Sequence, residues 1–263
     1  MSSNSGSVIS LQIGPVAPLG AEGVPSGFIK RPTDAPVMAD RLGLVGDKQA
    51  DLRVHGGPDK AIYWYPVQHY ARWREIVPQH SAQLRPGGFG ENLTISTFDE
   101  DRVAIGDIFR IGSATVQVTQ PRQPCFKLAL RFDDPRMVRA MVRTGLSGWY
   151  LRVLDPGSMQ SGSTATLMER PNPTWSIARF NRLIIEGGST VENLTELADM
   201  PGLALYWQAT ARTSLGITTP VYLDEIFLPE TPAPGPGSAH TRNVQSSPSH
   251  DPAIFGTNET CNV

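Results

Sequence analysis

Prolines and glycines interrupt this chain so often that little of it can form long regular elements. The 263 residues include 23 prolines and 25 glycines. Proline removes a backbone donor and glycine weakens both helices and strands, so both residue types typically mark turns. The segments between them predict many short strands joined by turns, with few long helices.

Three kinds of segment follow from this pattern. Alternating or β-branched and aromatic runs predict strands at residues 7–16, 61–65, 93–97, 103–111, 114–120, 148–157 and 165–169. Helical spacing predicts helices at residues 67–77, 134–142, 176–186, 191–199 and 203–213. Residues 17–36, rich in glycine, proline and alanine, are predicted to form a long loop. We therefore predict a mainly β domain at residues 1–170, a small three-helix domain at residues 171–216 and a disordered tail at residues 229–263.

Charge and hydropathy argue against two classes of partner. The net charge is −2 and the pI is about 6.2, so a general attraction to nucleic acid is not expected. No apolar run approaches the ~18 residues of a membrane span, and the first ten residues lack the pattern of a signal peptide. The two cysteines, Cys125 and Cys261, do not suggest a disulfide framework. We expect a cytoplasmic protein that binds neither nucleic acid nor a membrane.

One short segment places a thiol between cations. In "QPRQPCFKL", residues 120–128, Cys125 follows Pro124 at the exit of a predicted hairpin, with Arg122 and Lys127 on either side. Free cysteine is often only a small buried residue, and that interpretation stays open. The prolines and cations favour instead a fixed thiolate, which could act as a nucleophile, a redox thiol or a soft metal ligand.

Two other uses of this thiol, a zinc site and a cysteine hydrolase, would each need further residues beside Cys125, and the sequence does not place them there. A zinc site is not favoured, because no second cysteine is near Cys125 and the histidines at 55, 69 and 80 lack a ligand spacing. A cysteine hydrolase would need a base, for which His55 is the candidate.

Two glycine-rich segments could approach a ligand through their backbone. In "RVHGGPDKA", residues 53–61, Arg53, His55 and Lys60 surround the adjacent glycines 56 and 57, a combination that suits a phosphate. A solvated turn explains the same residues. The second segment, "GGFGEN", ends at Asn92 and is equally compatible with a plain hairpin loop.

Five segments in chain order carry a more specific signal between residues 43 and 154. They are "GLVGDKQADLRVHGGPDKA", "PGGFGENLT", "GDIFRIG", "VTQPRQPCFKL" and "GWYLRVL". Together they closely resemble the MOSC family, in particular its YiiM-like subgroup. The resemblance implies a MOSC β-barrel-like core with a few short helices, and the helical end after residue 173 resembles the small domain that follows this core. Phe126 departs mildly from the Trp or Tyr expected beside the family cysteine.

The resemblance also implies a cofactor and its site. The cofactor is the molybdenum cofactor, molybdopterin, a pterin with a dithiolene and a terminal phosphate. The family cysteine, here Cys125, would be its thiolate ligand to molybdenum. We expect the pterin and phosphate to be held by Arg53, His55, Gly56, Gly57, Lys60, Phe89, Gly90, Asn92, Arg122 and Lys127. His55 is also the candidate catalytic acid.

The activity that the resemblance implies is reduction of N-hydroxylated compounds, such as N-hydroxylated purine bases, to amines. This role would confer resistance to toxic bases such as 6-hydroxylaminopurine. The sequence shows no flavin, haem or iron–sulfur motif, so a separate reductase is expected to donate electrons. The aromatic helix with Tyr70 and Trp73 is either a core face or the interface of a homodimer.

Alternatives to the reductase remain at this stage. Cys125 could carry a persulfide, because MOSC domains also occur joined to pyridoxal-phosphate-dependent sulfurases. Binding of pyridoxal phosphate by this chain would need a Schiff-base lysine, with Lys60 the one to test, and no independent feature supports it. A non-enzymatic carrier would bind the cofactor without turnover.

Overall fold

A closed barrel of seven strands forms the centre of the protein. The computed structural model describes residues 4–187 and 189–217, except for the side chains of residues 53 and 54. The strand order is β13-β9-β10-β11-β7-β8-β1, and β1 pairs with β13 to close the ring. Strands β7 and β8 run parallel, and the other barrel neighbours are antiparallel. The barrel strands are β1 (Ser5–Ile13), β7 (Ile62–Pro66), β8 (Leu93–Ile95), β9 (Ile108–Ile111), β10 (Ala114–Pro121), β11 (Trp149–Asp155) and β13 (Thr164–Glu169).

Short strands and short helices surround this barrel. The other strands are β2 (Ala17–Leu19), β3 (Val24–Ser26), β4 (Arg31–Pro32), β5 (Val37–Asp40), β6 (Gly43–Leu44) and β12 (Gly157–Met159). The helices are α1 (Leu52–His55), α2 (His69–Ile76), α3 (Phe126–Phe132), α4 (Arg136–Thr144), α5 (Ile177–Glu186), α6 (Val191–Ala198) and α7 (Leu205–Ser214). The mainly β fold with short helices is therefore confirmed, and the predicted tail lies outside the described residues.

The described helices are all too short or too polar to cross a membrane.

Two sequence predictions about local structure were wrong, and one helix was not predicted. Residues 17–36 are not one loop, because β2 and β3 pair as a hairpin and β4 pairs with β1. The predicted strand 103–111 narrows to β9, since Gly106 adopts a φ of 83° and Asp107 accepts a hydrogen bond from the Ala104 N–H. The chain after Cys125 forms α3, which the sequence analysis missed although residues 126–132 are mostly good helix formers.

The barrel and the three C-terminal helices share one hydrophobic core. Trp64, Phe109 and Trp149 fill the barrel with their rings 5.0 to 5.3 Å apart. The same cluster continues into α5 and α7 through Phe180 and Trp207, both of which are buried. The barrel therefore extends its core into the helices, while the predicted domain boundary at residue 170 stays a prediction.

A second core supports the glycine-rich loop before β8. Phe89 stacks on Tyr65 at a ring distance of 4.8 Å and packs beside Trp73. Below it, the buried Glu91 carboxylate accepts hydrogen bonds from four donors: the Tyr70 hydroxyl, the Gly87 N–H, the Phe89 N–H and the Thr94 hydroxyl. This carboxylate therefore fixes the loop that carries Phe89 and Gly90.

Substituting Glu91→Gln should destabilise the protein. Glutamine keeps one of the two carboxylate oxygens and replaces the other by an NH2 group. This group would face N–H or O–H donors, so some of the buried donors lose their acceptor at a cost of about 1–3 kcal/mol. Chemical denaturation of the variant, with the exposed Glu75→Gln as a control, measures this loss. An unchanged free energy of unfolding in Glu91→Gln would contradict the assigned role.

Candidate functional site

A cleft beside the barrel brings together segments that are far apart in the chain. Its walls come from the loop after β3, the segment between residues 47 and 60, the loop before β8 and the chain between β10 and α3. Strands β7 and β11 contribute Tyr63 and Tyr150. Cys125 opens into this cleft and is partly exposed.

Cys125 occupies a rigid position between a strand and a helix. Strand β10 ends at Pro121, and Pro124 restricts the residue before it to extended backbone. Cys125 itself is extended, with φ −122° and ψ 172°, and is the N-cap residue of α3. Its carbonyl oxygen accepts a hydrogen bond from the Leu128 N–H at 2.9 Å. The local sequence thus holds the thiol at the start of a short helix.

His55 lies beside this thiol. Its Nε2 is 4.0 Å from the Cys125 sulfur. Burial, together with the positive charges of Lys127, Lys60 and Arg122, lowers the pKa of His55 to about 4. At neutral pH the imidazole is therefore uncharged in the cofactor-free protein, and it is a poor proton donor until a ligand adds negative charge.

This shift predicts a pH dependence of stability in the cofactor-free protein. The pKa of His55 is 6.5 in the unfolded chain and about 4 in the folded chain. Between these two pH values the unfolded chain therefore binds a proton at His55 that the folded chain does not bind. The free energy of unfolding should therefore decrease as the pH falls from 6.5 toward 4. In His55→Gln, the share of this decrease that comes from protonation of His55 should be absent. Denaturation curves of both proteins test this, and parallel pH profiles would contradict the lowered pKa.

Arg122 provides a buried positive charge without a carboxylate partner among the described residues. Its guanidinium carbon lies 5.7 Å from the centre of the Phe28 ring and 5.3 Å from that of Tyr63. Its Nη1 is 2.9 Å from the sulfur of Met141. Aromatic faces compensate such a charge only partly. The cleft therefore favours an anion.

Two further predicted cations, Lys60 and Lys127, also line the cleft. Lys127, in the first turn of α3, is buried, and its Nζ donates to the Pro25 carbonyl at 3.1 Å. Burial lowers the pKa of Lys60, an effect that the charges of Asp59 and Cys125 partly offset. The site thus gathers three cations around one thiol.

The two glycine loops contribute unequally. Phe89, Gly90 and Asn92 line the cleft, whereas Gly56 and Gly57 are not part of its lining. Gly57 instead allows the turn before Lys60, with a φ of 87°. The side chain of Arg53 lies outside the described residues, so its role stays a prediction.

The side chain of Asn92 makes its hydrogen bonds within the protein. Its Oδ1 accepts from the Tyr63 N–H at 3.0 Å, and its Nδ2 donates to the Gln12 carbonyl at 3.2 Å and to Asp47 at 2.9 Å. Its predicted contact with a pterin stays a prediction, and the geometry supports a role in shaping the wall.

Several residues of the cleft were not predicted from the sequence. Lys30 and Asp47 form a buried ion pair with an N–O distance of 2.5 Å, and Phe28, Tyr63 and Tyr150 form an aromatic wall. Asp47 lies inside the first MOSC-like segment, and this position was the feature of the sequence that could have indicated it as a site residue. Lys30 lies in the stretch predicted as a loop, where no local pattern indicated a site.

The donor set cannot hold a metal by itself. Within residues 4–187 and 189–217, no group of three or more His, Cys, Asp or Glu side chains is arranged to bind a metal ion. Cys125 offers one soft donor. A metal at this position therefore has to bring most of its ligands with it, and a dithiolene-bearing pterin meets that condition.

Comparisons with known proteins identify the family of this chain. Residues 51–166 match the MOSC domain family. The chain is 39% identical over 206 residues to the uncharacterized protein YflK of Bacillus subtilis, covering 78% of this chain and 92% of YflK. It is 36% identical over 189 residues to a protein named Reductase from Gibberella moniliformis, covering 72% of this chain but only 33% of that protein.

A solved structure extends the match to the fold. The crystal structure of YiiM from Geobacillus stearothermophilus superposes with a TM-score of 0.66 at 32% identity, covering 80% of this chain and 99% of YiiM. The fold and site together define a β-barrel protein with a thiol-bearing, cation-lined cleft. The chain belongs to the MOSC domain family, in its YiiM-like subgroup. MOSC domains are associated with the molybdenum cofactor.

Proposed function

We propose that this protein is a molybdenum-cofactor-dependent reductase of N-hydroxylated compounds, with Cys125 as the thiolate ligand of the metal. The observation that carries the proposal is a partly exposed thiol that faces a cleft, together with a buried cation that has no carboxylate partner among the described residues. When bound, the cofactor supplies two-electron redox chemistry at an N–O bond.

Cys125 has the properties of a supplementary ligand rather than of a complete metal site. Its backbone is extended and forms the N-cap of α3, where its carbonyl accepts from the Leu128 N–H, so its sulfur has a defined direction. A thiolate suits a metal that already has sulfur ligands. His55, in contact with the sulfur, borders the space where a ligand would sit.

The cations match an anionic cofactor. Arg122, Lys60 and Lys127 surround the thiol, and together with burial they lower the pKa of His55. A phosphate or a negatively charged metal group would offset this positive charge. Negative charge bound here would raise the pKa of His55, which would let the imidazole retain a proton for the reaction.

The aromatic wall supports a planar substrate. Phe28, Tyr63 and Tyr150 line the cleft, and the rings of Tyr63 and Tyr150 lie 5.4 Å apart. Aromatic faces favour flat heterocycles such as N-hydroxylated purine bases. These rings would orient the base while Cys125 and the cations hold the cofactor.

We further propose that electrons come from a separate protein. The Gibberella relative named Reductase matches this chain over one third of its own length, so two thirds of that protein lie outside the match. An additional redox domain there would correspond to a partner here. A chemical donor can replace that partner in a first assay.

Purification from a host that demonstrably loads another molybdenum enzyme tests the proposal. We expect molybdenum and pterin in near-equal amounts with the protein, and turnover of an N-hydroxylated base with a chemical electron donor. Cofactor without turnover would indicate a carrier. Protein without cofactor but with persulfide on Cys125 would indicate a sulfur-handling role, and either result would overturn the reductase.

A further inference from the structure

Asp59 joins the cleft to the C-terminal helices. It lies in the turn that precedes Lys60, and its side chain is 19% exposed. Its Oδ1 accepts hydrogen bonds from Arg152 Nε at 2.8 Å and from Arg152 Nη2 at 2.5 Å. Its Oδ2 accepts one from the Leu205 N–H at 2.9 Å. One carboxylate therefore connects the site loop, the barrel strand β11 and the first residue of α7.

Helix α7 depends on this distant carboxylate for its N-terminal cap. Its N-cap residue is Ala204, whose side chain makes no capping hydrogen bond. Alanine is a poor N-cap because it has no acceptor for the first N–H groups of the helix. Asp59 supplies that acceptor from 146 residues earlier in the sequence, and its negative charge suits the helix N-terminus.

A second set of hydrogen bonds fixes the backbone of the same turn. The Thr119 hydroxyl on β10 donates to the Asp59 carbonyl at 2.6 Å. The Thr119 carbonyl accepts from the Ala204 N–H at 3.1 Å. The start of α7 and the Asp59 turn are thus held on the same residue of the barrel, so a shift of one would displace the other.

We propose that Asp59 is a positioning residue through which Arg152 and helix α7 hold Lys60 at the Cys125 thiol. The three-helix segment then serves the site as well as the core. The role of Asp59 in retaining the cofactor rests on the proposed function. Its role in holding Lys60 near the thiol can be measured in the cofactor-free protein.

The test compares the charge around Cys125 in the cofactor-free, full-length protein. All proteins carry Cys261→Ser, so that Cys125 is the only reacting thiol. The rates of reaction with anionic dithionitrobenzoate and with neutral dithiodipyridine are measured, and their ratio reports local positive charge. Removal of the Asp59 carboxylate would by itself raise this ratio, because the surroundings become more positive. For Asp59→Ala we nevertheless expect the ratio to fall at least about threefold, since displacement of Lys60 takes a positive charge away from the thiol and clustered charge raises the encounter rate of an anion.

Asp107 offers a matched control. It also pairs with an arginine, Arg170, and accepts a backbone hydrogen bond from Ala104, but unlike Asp59 it is not next to a residue that lines the cleft. Asp107→Ala should lose comparable stability and keep the rate ratio. Equal ratios in Asp59→Ala and Asp107→Ala would overturn the inference. Asp59→Asn serves as a milder variant if Asp59→Ala does not fold.

A compensating change separates positioning from stability. Ala204→Ser gives α7 its own N-cap, so in the Asp59→Ala background it should raise the melting temperature and leave the rate ratio low. Recovery of the ratio together with the melting temperature would overturn the inference. A lowered ratio in a chain that never acquires pterin would sustain the placement of Lys60 and reject the proposed function.

Discussion

Cys125→Ser should abolish reductase turnover and leave the fold intact. Loss of residues that only support a metal ligand already costs about 10–100-fold, so loss of the ligand itself should cost more than about a hundredfold. Because Cys125 is partly exposed and serine is of similar size, the free energy of unfolding should change by less than about 1 kcal/mol. Steady-state kinetics and chemical denaturation measure the two effects.

Two outcomes would contradict this expectation in different ways. Full turnover in Cys125→Ser would remove the thiol from the mechanism. An unfolded Cys125→Ser protein would favour the interpretation of Cys125 as a core residue. Cys261→Ser provides the control for loss of a cysteine as such, since Cys261 lies outside the MOSC match.

Arg122→Met should separate stability from function. In the cofactor-free protein it replaces a buried charge, which has no carboxylate partner among the described residues, by an apolar side chain of similar length, so stability should stay equal or rise by up to about 4 kcal/mol. In the same variant, cofactor occupancy should fall at least about tenfold, because a charge-assisted contact to the anion is lost. Denaturation of cofactor-free protein and metal analysis of purified protein measure the two effects.

An arginine that is paired with a carboxylate provides a control in which the opposite result is expected. Arg170 pairs with the buried Asp107, so Arg170→Met leaves a carboxylate without its partner. That variant should lose stability and keep its cofactor. If Arg122→Met instead lost stability while retaining full occupancy, Arg122 would be a structural residue of the aromatic wall.

Local sequence was sufficient for some features of the site. Cys125, Lys127 and His55 lie within short motifs, and the structure brings all three into one cleft. The barrel strands were predictable because alternating apolar residues indicate a half-buried sheet. Closure of the sheet between β1 and β13 pairs residues about 160 positions apart, which no local pattern encodes.

Other features depend on distant packing and were not predictable. The burial of Arg122 between Phe28 and Tyr63 requires three segments to meet. The capping of α7 by Asp59 spans 146 residues, and neither end of that hydrogen bond looks unusual in the sequence. The hairpin of β2 and β3 was missed because its prolines and glycines obscure the strand pattern in such short elements.

X-ray absorption spectroscopy at molybdenum, on wild-type protein and on Cys125→Ser, tests the central claim most directly. Cofactor loaded into both proteins should show one sulfur ligand fewer in the variant, because the chain contributes a single thiolate. An identical sulfur coordination in both proteins would show that Cys125 does not bind the metal, and would contradict the account.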